Sequence, residues 1–277
     1  MSRRSTLLAA VAGLSVLAGL VSACAGDTAP SDTISSPNAT VREITVAEIT
    51  VAAASDLRPA FDDLGASFTA RTGTKVTFSY GSSGQLRTQI LNGAPFDLFA
   101  SASTAFVDEI ISAGRGRVGT RADYAYGRIV LWTSDAATRP AKVEDLGSSR
   151  FARIAIANPE HAPYGLAAVQ ALKSAGIFDR VKARLVFGEN ISDTFRIARS
   201  GNADVGIIAL SLAIADGTPY TLIPSTLHEP LQQTLVVTGD GERGDAAGAF
   251  AAHVNSPEGR QVMIRYGFTL PGEQATT

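Results

Sequence analysis

Cysteine is almost absent from this sequence: Cys24 is the single one among 277 residues. No intramolecular disulfide is possible, so the fold must rest on packing and hydrogen bonding. Histidine is scarce as well, and His161, His228 and His253 lie too far apart to show a metal-ligand spacing. An excess of one charge is also missing. Lys and Arg number 24 against 26 Asp and Glu, a formal net charge of −2, so no basic field is present to attract nucleic acid. What remains is an ordinary globular composition, 45 % hydrophobic and 18 % charged. The length suits one large domain or two modest ones.

The N-terminus reads as a leader rather than as part of a fold. Arg3 and Arg4 precede an uncharged stretch over 7–21, and the small residues Ser22 and Ala23 follow. This is the layout of a secretory signal peptide over 1–23, and the apolar run is short for a transmembrane helix. The run Val21-Ser22-Ala23-Cys24 resembles a bacterial lipobox. That resemblance implies cleavage before Cys24, lipid attachment to its sulfur, and anchorage of the chain to a membrane face. Residues 24–43 are rich in Ser, Thr, Pro, Ala and Asp, the composition of a flexible linker.

Beyond residue 44, short apolar runs alternate with helical periods. Strands are expected over 49–53, 75–80, 96–100, 128–132, 153–157, 183–187, 205–208 and 232–237. Helices are expected over 57–72, 85–92, 104–113, 165–175, 193–200, 245–254 and 257–266. Leu57, Ala60, Phe61, Leu64 and Phe68 recur at helical spacing, and Gly73 supplies a stop. The alternation predicts an α/β architecture with largely parallel sheets. It is too long for one simple doubly wound sheet, so two α/β lobes are expected.

Ligands of open α/β sheets bind outside the carboxyl ends of the strands, so the loops after strands matter most. Four share one chemistry: Ala54-Ser55-Asp56, Gly81-Ser82-Ser83-Gly84, Ala162-Pro163-Tyr164-Gly165 and Glu189-Asn190-Ile191-Ser192. Each precedes an expected helix, whose first amides lack intrahelical acceptors and carry partial positive charge. The hydroxyls of Ser55, Ser83 and Tyr164 add donors. Such a set suits a fully ionised oxyanion. Taken singly, each loop also has the residues of an ordinary N-cap, and spacing alone does not bring the four together.

Several of these motifs recur in one known family. The segment 51–55, Gly81-Ser82-Ser83-Gly84, and Asn92-Gly93-Ala94-Pro95 with Asp97-Leu98-Phe99 resemble the N-terminal half of the molybdate-binding proteins of ABC transporters. Segments 124–132, 157–165, 206–210 and 265–268 continue the resemblance in order. It implies a type II periplasmic-binding-protein-like fold: two α/β lobes with largely parallel central sheets, joined by a two-segment hinge. Lobe 1 would comprise 44–124 and 239–277, and lobe 2 would comprise 125–238, with hinges near Ala125 and Thr238. The ligand implied is molybdate or tungstate, without a cofactor. The partners implied are an ABC transporter permease and, through the lipid anchor, the membrane. The protein would be an extracytoplasmic monomer and not an enzyme.

By position, the resemblance makes Ser55 and Ser83 hydroxyl and amide donors from the first lobe. Tyr164 and the backbone amide of Ile191 are the matching donors from the second. Asp56 matches a position that contributes a polar residue in some members. Two departures stand out. Some members place a tyrosine ligand where this chain has Ala209, so Tyr164 is expected to supply the phenol. A carboxylate at Asp56 is unfavourable beside an anion, so it is expected to cap its helix with its amide facing the ligand. A carboxylate turned into the cleft would favour phosphate, which keeps a proton near neutrality.

Other readings compete. A phosphate- or sulfate-binding protein would use the same loops, and a hydrolase could use the same cleft, although no nucleophile-elbow pattern occurs. A regulator's sensing lobes fit poorly with a leader in place of a DNA-binding segment. Gly114-Arg115-Gly116-Arg117-Val118-Gly119 matches G-x-G-x-x-G, but it follows a helix rather than a strand, which removes the dinucleotide context. Arg115, Arg117 and Arg121 read as a solvated basic turn or as a patch facing a transporter.

Overall fold

The structure, a computed structural model, describes residues 48–272. The expected leader, the linker and Cys24 lie outside the described residues. The chain runs β1 (Glu48–Ala54), α1 (Arg58–Thr72), β2 (Lys75–Gly81), α2 (Ser83–Leu91), β3 (Leu98–Ser101), α3 (Thr104–Ser112), β4 (Ala122–Gly127) and β5 (Ile129–Trp132). It continues through β6 (Ile154–Ala157), α4 (Pro163–Ser174), α5 (Phe178–Val181), β7 (Leu185–Gly188), α6 (Ile191–Arg199), β8 (Val205–Ala209), α7 (Leu210–Asp216) and β9 (Thr221–Leu222). β10 (Leu231–Val237), α8 (Gly241–Val254) and α9 (Pro257–Arg265) close it.

These strands form two five-stranded sheets, one per lobe, in the orders β2-β1-β3-β10-β4 and β7-β6-β8-β5-β9. The expected parallel pairing holds for β2, β1 and β3 and for β7, β6 and β8. The remaining neighbours are antiparallel, so each sheet is mixed. The chain leaves the first sheet after Gly127 and enters the second at Ile129, close to the expected Ala125. It returns between Leu222 and Leu231, not at Thr238. β10 therefore lies in the first sheet, not in the second lobe as its position in sequence had implied. It is buried along nearly its whole length, and it finds ladder partners on both sides only between β3 and β4.

Both faces of the first sheet are covered, which explains the near-continuous apolar strands. Ile49, Val51 and Ala53 of β1 join Leu98 and Ala100 of β3 on the face packed by α1 and α8. There Phe250 meets Phe61 and Phe68 edge-on at centroid distances of 5.9 and 5.4 Å. Ala52, Phe99 and Val236 face the other way, against Leu86, Ile90, Val107 and Ile110 of α2 and α3. Fully burying one such side chain contributes about 1.5–3 kcal/mol.

Three helices begin two residues earlier than their apolar periods indicate: α2 at Ser83, α4 at Pro163 and α6 at Ile191. Their first turns face the other lobe rather than a sheet, so they lack the apolar repeat that reveals a helix. Pro163 fits the first position because its missing N–H would have no acceptor there. The shift places Ser83, Tyr164 and Ile191 inside first turns.

Candidate functional site

The loops after β1, β2, β6 and β7 meet where the lobes face each other. Ala54, Ser55, Asp56, Gly81, Ser82, Ser83 and Ala102 line one side of a cavity, and Ala162, Pro163, Tyr164 and Ile191 line the other. The cavity volume is only about 10 Å³. No Lys, Arg or His is among the lining residues. Three helix N-termini and the single turn Ser55–Leu57 thus share one small space, the arrangement that favours an anion through backbone amides. Among the described residues, no cluster of His, Cys, Asp and Glu could hold a metal ion.

A hydrogen-bonded seam joins the lobes around this space. Ser55 Oγ donates to Asn190 Oδ1 at 3.0 Å and accepts from the Ser192 amide at 3.2 Å. Ser192 Oγ donates to the Ser55 carbonyl at 3.0 Å. On the α2 side, the Gly84 amide donates to the His161 carbonyl at 2.9 Å, and Ser82 Oγ lies 2.8 Å from His161 Nδ1. Only glycine fits at position 84, because a Cβ there would sit 2.6 Å from the His161 carbonyl oxygen. Ser82 Oγ also accepts the Gln85 amide as the cap of α2, so the Ser82–His161 contact is a structural tie rather than a nucleophile and its base. Ser83 Oγ accepts from the Ala102 amide at 3.0 Å, which leaves its own proton to donate.

Asp56 does not cap its helix. Its carboxylate turns away from the start of α1, where no side chain bonds the first amides. Oδ2 instead accepts from the Tyr164 hydroxyl at 2.8 Å and from Gln233 Nε2 at 2.9 Å. The backbone carbonyl of Asp56 accepts from Ser211 Oγ at 2.7 Å. Oδ1 has no hydrogen-bond partner among the described residues. Asp56 is 0 % exposed, and these neighbours offer neutral donors rather than a cation. Burial pushes its pKa up to about 7, against the opposing pull of hydrogen bonds from Tyr164, its own amide and Gln233. Burial and the nearby Asp56 also hold the Tyr164 and Tyr124 phenols well above their ordinary range.

Comparison with known proteins places this architecture. The family model for bacterial extracellular solute-binding proteins matches residues 49–269. The chain belongs to that family. It is 35 % identical over 221 residues to a molybdate-binding protein of Rhodobacter capsulatus, covering 78 % of this chain and 86 % of that one. The solved periplasmic molybdate-binding protein of Azotobacter vinelandii superposes with a TM-score of 0.74 at 30 % identity, covering 80 % of this chain and 99 % of that one. A sulfate-binding protein of Mycobacterium tuberculosis shares the fold alone, at TM-score 0.70 and 17 % identity over 81 % of this chain and 87 % of that one.

In this solute-binding protein, all five residues singled out from the sequence line the same cavity: Ser55, Asp56, Ser83, Tyr164 and Ile191. The expectation for Tyr164 changes, because its hydroxyl proton is engaged by Asp56. Gln233, Ser211 and His161 were not recognised as parts of the site. Gln233 lies between Gln232 and Thr234 on β10, so the sequence did not mark it as a residue that is 0 % exposed and must find a partner. Ser211 carried no signal either, since α7 is too short to announce itself by period. In the basic turn, Arg117 pairs with Asp245, and Arg121 pairs with Asp108 and Asp123.

Proposed function

We propose that this protein captures molybdate between its two lobes and delivers it to an ABC transporter permease from outside the cytoplasmic membrane. The observation that carries this reading is the cavity wall of first-turn amides and small hydroxyls without a cation. A fully ionised tetrahedral oxyanion is the ligand such a wall recognises best. Family membership supports an extracytoplasmic role, and the relatives from Rhodobacter and Azotobacter are molybdate-binding proteins by name. Contacts across the seam form only when the lobes meet, so the anion stabilises closure by bonding both sides at once. The Ser83 hydroxyl and the backbone amides of Ser55 and Ile191 are the proposed donors, and Tyr164 and Asp56 complete the wall.

Calorimetric titration of the soluble body with molybdate, tungstate, sulfate and phosphate tests the ligand. Molybdate or tungstate is expected to bind most tightly, and tighter binding of phosphate would overturn the assignment. Lipidation at Cys24 is proposed from the lipobox pattern. Replacing Cys24 by Ser is expected to release the exported protein from membranes, and unchanged membrane retention would sink the anchor.

A further inference from the structure

We propose that Asp56 is a proton-carrying recognition residue. The cleft closes on a fully ionised oxyanion with Asp56 as the neutral acid, donating from Oδ1 to an anion oxygen, so each anion is captured with one proton from solvent. This rests on the oxyanion-binding reading above.

Hydrogen-bond directions locate the proton. Tyr124 donates to Gln233 Oε1 at 3.5 Å, which turns Gln233 Nε2 toward Asp56. Oδ2 then receives two donors, from Gln233 and Tyr164, and has no room for a proton of its own. With these directions the neutral acid carries its hydrogen on Oδ1, the carboxyl oxygen without a hydrogen-bond partner among the described residues, on a residue that lines the cavity. In the ionised form the same oxygen would be an unsatisfied negative atom beside a dianion, which is unfavourable in a buried site.

The hydrogen bonds to the Asp56 carboxylate among the described residues come from uncharged donors. Tyr164 of α4 and Tyr124 of β4 are neutral phenols, and β10 contributes Gln233. On α1, Arg58 lies over the Tyr80 ring, Asp62 accepts from Tyr80, and Asp63 pairs with Arg265. On α6, Asp193 pairs with Arg196, while Arg199 pairs with Asp216 of α7. Lys173 of α4 lies over Phe178, and Asp123 of β4 pairs with Arg121. Burial, opposed by the hydrogen bonds from Tyr164, its own amide and Gln233, raises the carboxyl pKa to about 7, and an arriving dianion pushes the proton affinity higher still. The O–H bond stays on Asp56 in the complex, and the proton returns to solvent when the anion leaves. Hydrogen phosphate brings its own proton, so an ionised Asp56 would accept it with no net uptake. Proton stoichiometry therefore separates the two anion classes.

The test is molybdate titration of the wild-type protein and Asp56→Asn by calorimetry, in buffers of different ionisation enthalpy between about pH 7 and 9. The wild type is expected to take up close to one proton per molybdate at the alkaline end. Its Kd should rise by up to about tenfold per pH unit there. Asp56→Asn, which keeps a neutral donor, should show neither. Wild-type molybdate binding without proton uptake overturns the proposal and leaves the anion site standing. The same uptake in Asp56→Asn also overturns it, because the proton then resides elsewhere. Absence of molybdate binding by the wild type removes both the site reading and the proposal. The wild-type measurement decides alone if the variant does not fold.

Discussion

Two buried aspartates stand at opposite ends of the first sheet, and their surroundings could hardly differ more. Asp97, just before β3, is 4 % exposed and fully satisfied. Its carboxylate receives Arg243 Nε at 2.9 Å, Arg243 Nη2 at 2.6 Å and the Thr50 amide at 2.7 Å, while its carbonyl receives the amides of Thr238 and Gly239. Asp56, just after β1, meets uncharged donors and keeps one oxygen unbonded. The first arrangement ties β1, β3 and the start of α8 into one unit. The second is poorly suited to stability and well suited to a ligand. A buried carboxylate thus reports its role through its partners, because the same desolvation is offset in one place and left open in the other.

Substitutions at the two ends should separate stability from binding. Arg243→Ala has the largest expected effect. It leaves Asp97 buried without its cation and should lower unfolding stability by about 2 kcal/mol, less than for a fully buried pair because Arg243 is half exposed. Urea unfolding measures this, and molybdate affinity should stay as in the wild type. A changed affinity with unchanged stability would reverse the division between the two ends.

At the cleft end, Ser55→Ala removes the hydroxyl that links β1 to Asn190 and Ser192. Roughly 1.5 kcal/mol of binding energy should be lost, about tenfold in Kd. The unfolding midpoint should move little, because an opened cleft lets water reach the freed groups. Calorimetry and urea unfolding on the same variant check both halves. The smallest of the three effects is expected for Gly84→Ala. Its Cβ would press on the His161 carbonyl across the seam, a crowding that opening relieves. Molybdate affinity should drop several-fold through faster release, which stopped-flow fluorescence of Trp132 or an attached dye can follow. Release at the wild-type rate would show that the seam does not close on the anion.

Much of this molecule was legible in one dimension. The apolar periods located most strands and helices, since a strand buried on both faces and a helix with one apolar stripe each leave a repeat in the chain. β4 and the short α7 escaped because Ala122–Gly127 has no apolar repeat and Leu210–Asp216 is barely two turns. The first turns of α2, α4 and α6 were misplaced for a related reason: their residues face a cleft, and a cleft imposes no period.

The sequence by itself determined the elements, their order and the chemical character of each loop, because those depend on neighbours within a few residues. Resemblance to a family added the expectation that the loops meet. Only the tertiary structure decided what the Asp56 carboxylate does. Its partners Tyr164 and Gln233 lie 108 and 177 residues away along the chain, and Ser211, which bonds the Asp56 backbone carbonyl, lies 155 away. Helix capping, the local alternative, lost to them because the turn at Ser55–Leu57 points the side chain into the inter-lobe space, where burial strengthens its bonds to Tyr164 and Gln233.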